Sequence, residues 1–257
     1  MVWTAIRDGL SRVGLNVTGV ADGRAYDGWV PGCRSAVVVA SGGPALWDAF
    51  VDACRRAPET FADESDPLDL FVRRAVAAVD PPSTSRVWAF ADFAQQPPVD
   101  MQRLALEAGL GWRSTLGLIL HPTYGPWMGL RAVCFTTEDL PVDGPRTLPS
   151  PCEDCPAPCV TACPGLALAD GAMDWASCTL HRAESADCHR QCHSRGACPH
   201  GAEHRYDPVQ SLYHHDWERG RPGLAAAIGV EDRVGVEPVD WAERAARARR
   251  HLAAKDR

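Results

Sequence analysis

Eight of the eleven cysteines of this chain fall within residues 152–198. They form two groups, and each group ends in a cysteine that is followed by proline. In sequence order the groups are Cys152, Cys155, Cys159 and Cys163, then Cys178, Cys188, Cys192 and Cys198. Thiols this closely spaced can hold iron–sulfur clusters, hold zinc or pair as disulfides. The cysteines are therefore the residues of this sequence that are best suited to chemistry.

Iron–sulfur clusters explain the cysteine pattern best. In two-cluster ferredoxins the run Cys-x2-Cys-x2-Cys-x3-Cys-Pro gives three ligands to one cluster, and its last cysteine binds the other cluster. The first group matches this run except that its middle gap is one residue longer. Eight thiolates are also the number that two 4Fe–4S clusters need. Two alternatives stay open: disulfides, and zinc with ligands added by His189, His193, His200 and His204.

The composition bears on compartment and partners. The sequence shows neither a secretory signal nor a run of about eighteen apolar residues, so we expect a cytoplasmic protein with no membrane partner and with reduced thiols. Lys and Arg number 26 against 33 Asp and Glu, a net charge of -7, which lacks the basic excess that nucleic-acid phosphates attract. We therefore expect a small-molecule substrate and no nucleic-acid partner.

The elements that must position the cysteines form a mixed pattern. Apolar runs predict strands at 15–20, 36–40, 87–90, 116–120 and 132–135, and helical spacing predicts helices at the N-terminus and at 45–56, 68–79 and 101–108. Strands and helices alternate irregularly along the chain. This irregularity favours an α+β sandwich, with helices packed on a largely antiparallel sheet, over a doubly wound parallel sheet.

The chain is predicted to have three parts. Four prolines in residues 141–151 are typical of a linker and set a boundary near residue 145. The parts are an α/β sandwich domain at 1–145, a cysteine module at 146–206 and a C-terminal helical extension at 207–257. The three isolated thiols, Cys33, Cys54 and Cys134, are predicted to be small buried apolar residues.

Two motifs before the cysteines carry a resemblance to a known family. The sequence AGLGW at 108–112, followed by HPTYGPW at 121–127, resembles epoxyqueuosine reductase, in which an AGLGW stretch precedes an apolar strand and a similar turn. Residues 14–22 and 31–39 are similar to the first strands of that family. The resemblance implies a cobalamin-dependent reductase with a nitroreductase-like sandwich domain and a ferredoxin-like module carrying two 4Fe–4S clusters. Reductive dehalogenases are built on a related plan.

The resemblance also implies roles for single residues. Cys152, Cys155, Cys159 and Cys198 would hold one cluster, and Cys163, Cys178, Cys188 and Cys192 the other. Cobalamin would be bound by Gly109, Gly111, Trp112, His121, Tyr124, Gly125 and Trp127, although a nitroreductase-like domain could hold flavin instead. Asp92 is the candidate proton donor, and electrons would come from an external donor such as a flavodoxin or ferredoxin.

The chain departs from the family in two places, and this bears on its function. Residues 113–116 read RSTL where the family has an IGKN-like stretch, and no helical-repeat domain follows the cysteines. The first hypothesis is a reductase that relays single electrons through the clusters to cobalamin, which reduces a small molecule. The second is an electron-transfer or cobalamin-reducing protein without its own organic substrate. The third is a zinc-stabilised binding module.

Overall fold

The computed structural model describes residues 2–91, 98–236 and 238–255. In chain order the elements are α1 (Val2–Ser11), β1 (Val17–Asp22), β2 (Ser35–Gly42), α2 (Ala45–Arg56), α3 (Pro58–Ala62), α4 (Pro67–Val79), β3 (Arg86–Phe90), α5 (Met101–Glu107), β4 (Trp112–Arg113), β5 (Ile119–Leu120), β6 (Met128–Thr136), α6 (Pro158–Thr161), α7 (Trp175–Glu184), α8 (Ala186–Arg190), α9 (His193–Ala197), α10 (Pro208–His215), α11 (Trp217–Ile228) and α12 (Trp241–Lys255). Short 3-10 turns lie at Arg24–Tyr26 and Ala202–His204.

Four strands form an antiparallel sheet in the order β1-β2-β6-β3. Every residue of β2 is buried, because this strand lies inside the sheet and helices cover both of its faces. Val37 pairs with Val20 of β1 on one side and with Cys134 of β6 on the other. The α+β class and the largely antiparallel sheet predicted from the sequence are therefore confirmed.

The two faces of the sheet carry separate apolar cores, since side chains of a strand alternate between faces. On one face Val39 packs with residues of α1, α2 and α4, among them Phe50 and Val72. On the other face Val38 packs with residues of α5 and with Phe135 of β6. The sheet is thus the middle layer of a sandwich with helices on both sides.

Helices α10 and α11 complete the first of these cores, and Tyr213 and Leu224 are buried in it. Arg221 of α11 is fully buried, pairs with Asp232 at 2.9 Å and donates to the backbone carbonyl of Phe61 at 2.9 Å. Buried charge of this kind is tolerated only when it is paired and hydrogen-bonded. The first half of the predicted C-terminal extension therefore packs on the sheet domain.

The cysteine region is built from short helices, α6 to α9, with side-chain caps at three of them. Asp174 accepts hydrogen bonds from the first backbone N–H groups of α7, and Ser185 does the same for α8. Cys192 caps α9 through its sulfur atom. The long helix α12 packs against α7, where Arg249 pairs with Glu184 at 2.8 Å. No helix in the described residues is long and apolar enough to cross a membrane.

Candidate functional site

The eight clustered cysteines separate into two sets in space. Four of them line a narrow cavity of about 20 Å³, and the other four line a larger cavity of about 180 Å³. The first set is Cys152, Cys155, Cys159 and Cys198, and the second is Cys163, Cys178, Cys188 and Cys192. The last cysteine of each sequence group thus joins the other group. The structure brings the cysteines together in the crossed arrangement implied by the resemblance, while their binding of clusters stays a prediction.

The thiols within each set influence one another electrostatically. Burial raises the pKa of Cys198, and the neighbouring thiols of Cys159 and Cys152 raise it further. Burial likewise raises the pKa of Cys178, with Arg182 opposing the shift. Thiols that are buried beside other thiols ionise with difficulty unless a bound cation compensates the negative charge. Cys178 and Cys198 are therefore protonated near pH 7 unless a bound cation favours the thiolate.

Local geometry explains how the first set converges. Helix α6 carries Cys159 and packs against α9, which ends just before Cys198. Leu116 and Leu120 of the preceding segment close the cavity with apolar side chains. The result is a compact cavity whose walls are mostly apolar apart from the thiols.

The second set has a different environment, because basic side chains surround it. His181, Arg182, His193, Arg195 and His215 line the same cavity as its four cysteines. Three of their nitrogen atoms are buried without a hydrogen-bond partner: Nε2 of His181, Nε of Arg182 and Nδ1 of His215. Burial lowers the pKa of His215 to about 4, and the charges of Arg182 and Arg195 contribute to this shift. His215 is therefore neutral near pH 7.

The positions of the cysteines and histidines bear on the disulfide and zinc alternatives. The described residues include all eleven cysteines, and every one is a free thiol, which contradicts the disulfide alternative. Within the described residues, no three His, Cys, Asp or Glu side chains form a group that could hold a metal ion. Two of the histidines considered as zinc ligands have other contacts, since His189 packs on Trp241 and His193 lies 2.9 Å from Asp187.

The isolated thiols behave as predicted. Cys33, Cys54 and Cys134 are all buried in the sheet domain. Burial raises the pKa of Cys54 to about 11 and also raises the pKa values of the other two. These side chains are therefore unreactive members of the core.

A third cavity, of about 720 Å³, opens beside the sheet. It is lined by three of the residues predicted to bind a cofactor, Gly109, His121 and Tyr124. The walls also include Asn16, Val17, Thr18, Ala108, Leu110, Thr123, Asp143, Gly144, Pro145, Arg146, Thr147 and Leu148. Sequence reasoning missed the wall at residues 143–148, since its composition is typical of a linker. A charged Arg and Asp within a proline-rich stretch are the only signal there.

The proline-rich wall is held in place by hydrogen bonds to the edge of the sheet. The backbone N–H of Asp143 donates to the carbonyl of Val20, and its carboxylate accepts the N–H of Val20 at 2.8 Å. Gly109 has a positive φ of 65°, and a Cβ atom there would collide with the carbonyl oxygen of Gly144. Glycine at position 109 therefore lets the two walls of the open cavity approach each other closely.

Hydrogen bonds define the roles of the two ring nitrogens of His121, which lines the open cavity. Its Nδ1 accepts the backbone N–H groups of Thr123 at 3.1 Å and of Tyr124 at 3.2 Å. Burial, with the nearby Arg146 and His204 adding to it, lowers the pKa of His121 to about 4. The ring is neutral near pH 7 and accepts at Nδ1, so its proton is on Nε2. His121 can therefore donate one hydrogen bond.

Gly111 and Gly125 lie outside the open cavity and approach other backbone segments. A Cβ atom at Gly111 would collide with the carbonyl oxygen of Leu120. Gly125 has a φ of 54°, and a Cβ atom there would collide with the carbonyl oxygen of His200, just after the second Cys-Pro pair. These glycines allow close packing of strands and of the cysteine region.

Trp112 and Trp127 also lie outside that cavity's lining. Trp127 is buried, and Arg195 of the cysteine region lies 4.6 Å from its ring and donates to the carbonyl of Pro126 at 2.7 Å. Trp112 donates to the carbonyl of Leu148 at 2.8 Å and so braces the proline-rich wall. The HPTYGPW turn therefore serves as the docking surface of the cysteine region. The candidate proton donor, Asp92, lies outside the described residues.

Comparison with known proteins supports the resemblance. Over 93 residues the chain is 36% identical to the epoxyqueuosine reductase of Vibrio cholerae, a match that covers 36% of this chain and 24% of that protein. The match thus spans about a quarter of the length of that curated relative. The predicted resemblance is confirmed to this extent. No protein-family model matches the chain.

Solved structures share the fold at low sequence identity. The B12-trafficking protein CblC of C. elegans, a homologue of human MMACHC, has a TM-score of 0.54 and 17% identity. That likeness covers 86% of this chain and 94% of the C. elegans chain, and it shows the fold alone.

One further structure corrects the expectation about partners. An epoxyqueuosine reductase with a tRNA-Tyr stem loop modified with epoxyqueuosine has 16% identity, a TM-score of 0.48, and coverage of 82% of this chain and 69% of that chain. That protein is bound to nucleic acid, which contradicts the expectation of a small-molecule substrate without a nucleic-acid partner. A net charge of -7 is an average over the whole surface, so by itself it does not exclude a local group of basic residues that contacts phosphates.

Proposed function

We propose that this protein is a corrinoid-dependent iron–sulfur reductase of the cytoplasm, with a nitroreductase-like sandwich domain and a ferredoxin-like module for two 4Fe–4S clusters. The observation that carries the proposal is the exchange of Cys163 and Cys198 between the two sequence groups. Such an exchange is typical of proteins with two cubane clusters. The reductase resemblance supplies the reaction class.

The donor geometry favours cubane clusters over zinc. A zinc ion draws its four ligands to within about 2.3 Å of one point, and no group of the described residues is placed to hold a metal ion in this way. In a cubane each thiolate binds a separate iron, so four sulfur atoms can face one cavity while standing further apart. The cavity of about 180 Å³ between the second set of cysteines suits such a group.

When bound, the clusters would supply single electrons and the corrinoid would supply a cobalt centre for reduction of an electrophile. The chain's own residues arrange these sites close together. Leu120 lines the cavity of the first cysteine set, and the next residue, His121, lines the open cavity. One strand end therefore separates the first cluster site from the proposed corrinoid site, which keeps the distance for electron transfer short.

The open cavity offers the corrinoid a specific set of contacts. His121 has an Nε2–H donor, Arg146 has a cationic guanidinium group, and Tyr124 has a phenol ring beside both walls. A neutral histidine whose Nδ1 accepts backbone N–H groups is better placed to donate to a carbonyl of the ligand than to coordinate cobalt. We propose that Gly109, His121 and Tyr124 contact the corrinoid directly. The other predicted residues do not line the cavity and would instead hold its walls in position. They are Gly111, Trp112, Gly125 and Trp127.

Electrons would enter from an external donor such as a flavodoxin or ferredoxin. Trp175 is 59% exposed and borders the cavity of the second cysteine set. An exposed aromatic ring beside a redox site suits contact with a transient partner, because weak redox complexes use small interfaces. The proposed direction of electron flow is thus from the second cluster to the first and then to the open cavity.

A cobalamin titration of anaerobically purified protein tests the proposal. We expect saturable binding with a change in the visible spectrum of cobalamin, and binding about tenfold weaker in Arg146→Gln, the effect of losing one hydrogen bond to a charged group. Arg24→Gln is the matched control, since Arg24 is an exposed arginine that pairs with Asp22 away from the cavity. Failure of the wild-type protein to bind cobalamin would contradict the corrinoid assignment, and binding of flavin in its place would replace it.

Epoxyqueuosine, the compound in the name of the Vibrio cholerae relative, is the substrate to test. Holoprotein supplied with reductant is offered epoxyqueuosine in a tRNA stem loop, and loss of the epoxide oxygen is measured by mass spectrometry. Turnover would support a reductase of this kind. Cobalamin binding and reduction without any turnover would favour the electron-transfer alternative.

A further inference from the structure

Three buried nitrogen atoms of residues around the second cysteine set have no hydrogen-bond partner. They are Nε2 of His181, Nε of Arg182 and Nδ1 of His215, and all three residues line the cavity of that set. A buried nitrogen left without a hydrogen bond is destabilising, and such groups are rare in folded proteins. Three of them around one cavity therefore point to a missing acceptor inside it.

The rest of the structure holds these side chains in place. Nη2 of Arg182 donates to the backbone carbonyl of His215 at 2.7 Å, which ties the two residues together. Gly165, two residues after Cys163, lies against His181, and a Cβ atom there would meet the Cβ of His181 at 2.7 Å. His181 can approach the cavity because this position is glycine. The guanidinium of Arg182 is thus tied to the backbone of His215.

The first cysteine set lacks an equivalent group of donors. Its cavity is lined by Ser114, Thr115, Leu116, Leu120, Ala157, Pro158, Pro199 and His200 besides the four cysteines. None of the unpartnered buried nitrogen atoms found in the described residues belongs to this lining. No arginine lines it either. The two sets therefore differ in both charge and hydrogen-bond donors.

We propose that His181, Arg182 and His215 donate hydrogen bonds to the sulfur atoms of the cluster held by Cys163, Cys178, Cys188 and Cys192, and so raise its reduction potential above that of the other cluster. This inference rests on the proposed function. Hydrogen bonds to the sulfur atoms and positive charge nearby both stabilise the reduced, more negative state of a cluster. Sulfide and thiolate sulfur atoms are the acceptors that the three nitrogen atoms lack. The second cluster would then hold the first electron from the external donor, and onward transfer of that electron to the lower-potential first cluster would be uphill by the difference between the two potentials.

A redox titration of the holoprotein monitored by electron paramagnetic resonance tests the inference. In the wild-type protein the second cluster is expected to be reduced at a higher solution potential than the first. Cys155→Ser and Cys188→Ser assign the two signals, because each substitution perturbs a ligand of one set only. If the first cluster has the higher potential, the inference is overturned.

Substitutions at His181 test the hydrogen bond itself. His181→Leu is expected to lower the ratio of reduced to oxidised second cluster about tenfold at a fixed potential, which is about 59 mV for a one-electron couple. His181→Gln keeps an N–H group near the position of Nε2 and is expected to restore most of this loss. The signal of the first cluster should not move in either variant. Equal potentials in wild type, His181→Leu and His181→Gln would overturn the inference.

Arg182→Gln gives a second test with a matched control. Arg190 is an exposed arginine of α8 in the same region, and it does not line the cavity. Arg182→Gln should therefore lower the potential of the second cluster by much more than Arg190→Gln, although both remove one positive charge. Equal shifts would show that overall charge, not a hydrogen bond, sets the potential. A protein without iron would overturn the proposed function as well, whereas intact clusters with unmoved potentials would overturn this inference alone.

Discussion

The sheet domain and the cysteine region differ in what holds them together. Among the described residues, each of the two main apolar cores of the sheet domain contains fifteen buried residues, whereas the core around the cysteines contains four, and one of those is Cys198 itself. Apolar burial is the main favourable term in folding, so the sheet domain can be stable by itself. The cysteine region has short helices and few buried side chains, and it needs another source of stability.

That difference leads us to propose that the bound clusters of the proposed function act as the core of the cysteine region. Metal binding to a site that does not exist in the unfolded chain contributes directly to folding free energy. The HPTYGPW turn forms the seam between the two regions. We therefore expect their stabilities to be coupled there.

Removal of iron is expected to have the largest effect, because it should destabilise the cysteine region and leave the sheet domain folded. Chelation under anaerobic conditions should cost the cysteine region more than about 5 kcal/mol, by analogy with structural metal sites. Hydrogen exchange measured by mass spectrometry should show lost protection at 152–199 and kept protection in β1, β2 and β6. Equal loss of protection in both regions would contradict two separate sources of stability.

Phe135→Ala is expected to have the next largest effect, and on the sheet domain. Phe135 is fully buried and stacks on Tyr26 and Trp29, with ring centroids 4.7 and 5.2 Å away. Loss of such a side chain costs about 3–5 kcal/mol through lost burial and the cavity left behind. Urea unfolding followed by tryptophan fluorescence measures this change. Val142→Ala is the control, because Val142 is 52% exposed, and it should change the free energy of unfolding by less than about 0.5 kcal/mol.

Gly125→Ala tests the seam between the two regions. Both Gly125 and Gly171 have positive φ, at 54° and 77°, but only a Cβ at Gly125 would strike backbone, whereas nothing lies within 4 Å of Gly171. Gly171→Ala should therefore cost only about 1–2 kcal/mol, the backbone penalty. Gly125→Ala should cost at least about 1 kcal/mol more in the same thermal unfolding experiment and should loosen the cysteine region in limited proteolysis. Equal effects of the two substitutions would argue against close docking at this turn.

Acid should have a smaller effect that is traceable to His214, which is linked to the HPTYGPW turn through Tyr206: the ring centroids of His214 and Tyr206 lie 5.5 Å apart, and those of Tyr206 and Trp127 lie 5.3 Å apart. Burial, with Arg131, Arg195 and His215 adding to it, lowers the pKa of His214 to about 3. The unfolded histidine takes up a proton near pH 6.5 and the folded one does not, so stability is fully present above that pH and falls as pH drops toward 3. Between about pH 7 and pH 5 the loss from this group is about 2 kcal/mol.

His214→Phe should remove that part of the pH dependence, which urea unfolding at both pH values would measure. His251→Gln is the control, since His251 is exposed on α12. An unchanged slope in His214→Phe would mean that other groups account for the acid sensitivity of the seam.

Local patterns predicted the elements of the sheet domain well. The helix predicted at 45–56 coincides with α2, because its apolar spacing matches the face that packs on the sheet. The strand predicted at 116–120 is shortened to Ile119–Leu120, since Gly117 takes a φ of 70° and its N–H bonds to Ser114 in a turn. Apolar composition alone cannot distinguish such a turn from a strand.

Long-range contacts account for what the sequence did not reveal. The carboxylate of Asp143 bonds to Val20, 123 residues away, and turns a proline-rich stretch into a cavity wall. His215 lies 17 residues after the last clustered cysteine, and no spacing rule connects it to them. The cysteine sets were anticipated because ferredoxin spacing encodes their crossing locally, whereas these contacts exist only in the folded chain.

We propose that two separate sets of four thiols each hold a 4Fe–4S cluster. This proposal is tested most directly by measuring iron and acid-labile sulfide in three anaerobically purified proteins: the wild type, Cys155→Ser/Cys159→Ser and Cys188→Ser/Cys192→Ser. We predict about eight irons per chain in the wild type and about four in each double variant, which should keep a different cluster signal in electron paramagnetic resonance. Zinc in place of iron in the wild type, or loss of all iron together with both signals in each variant, would contradict the account.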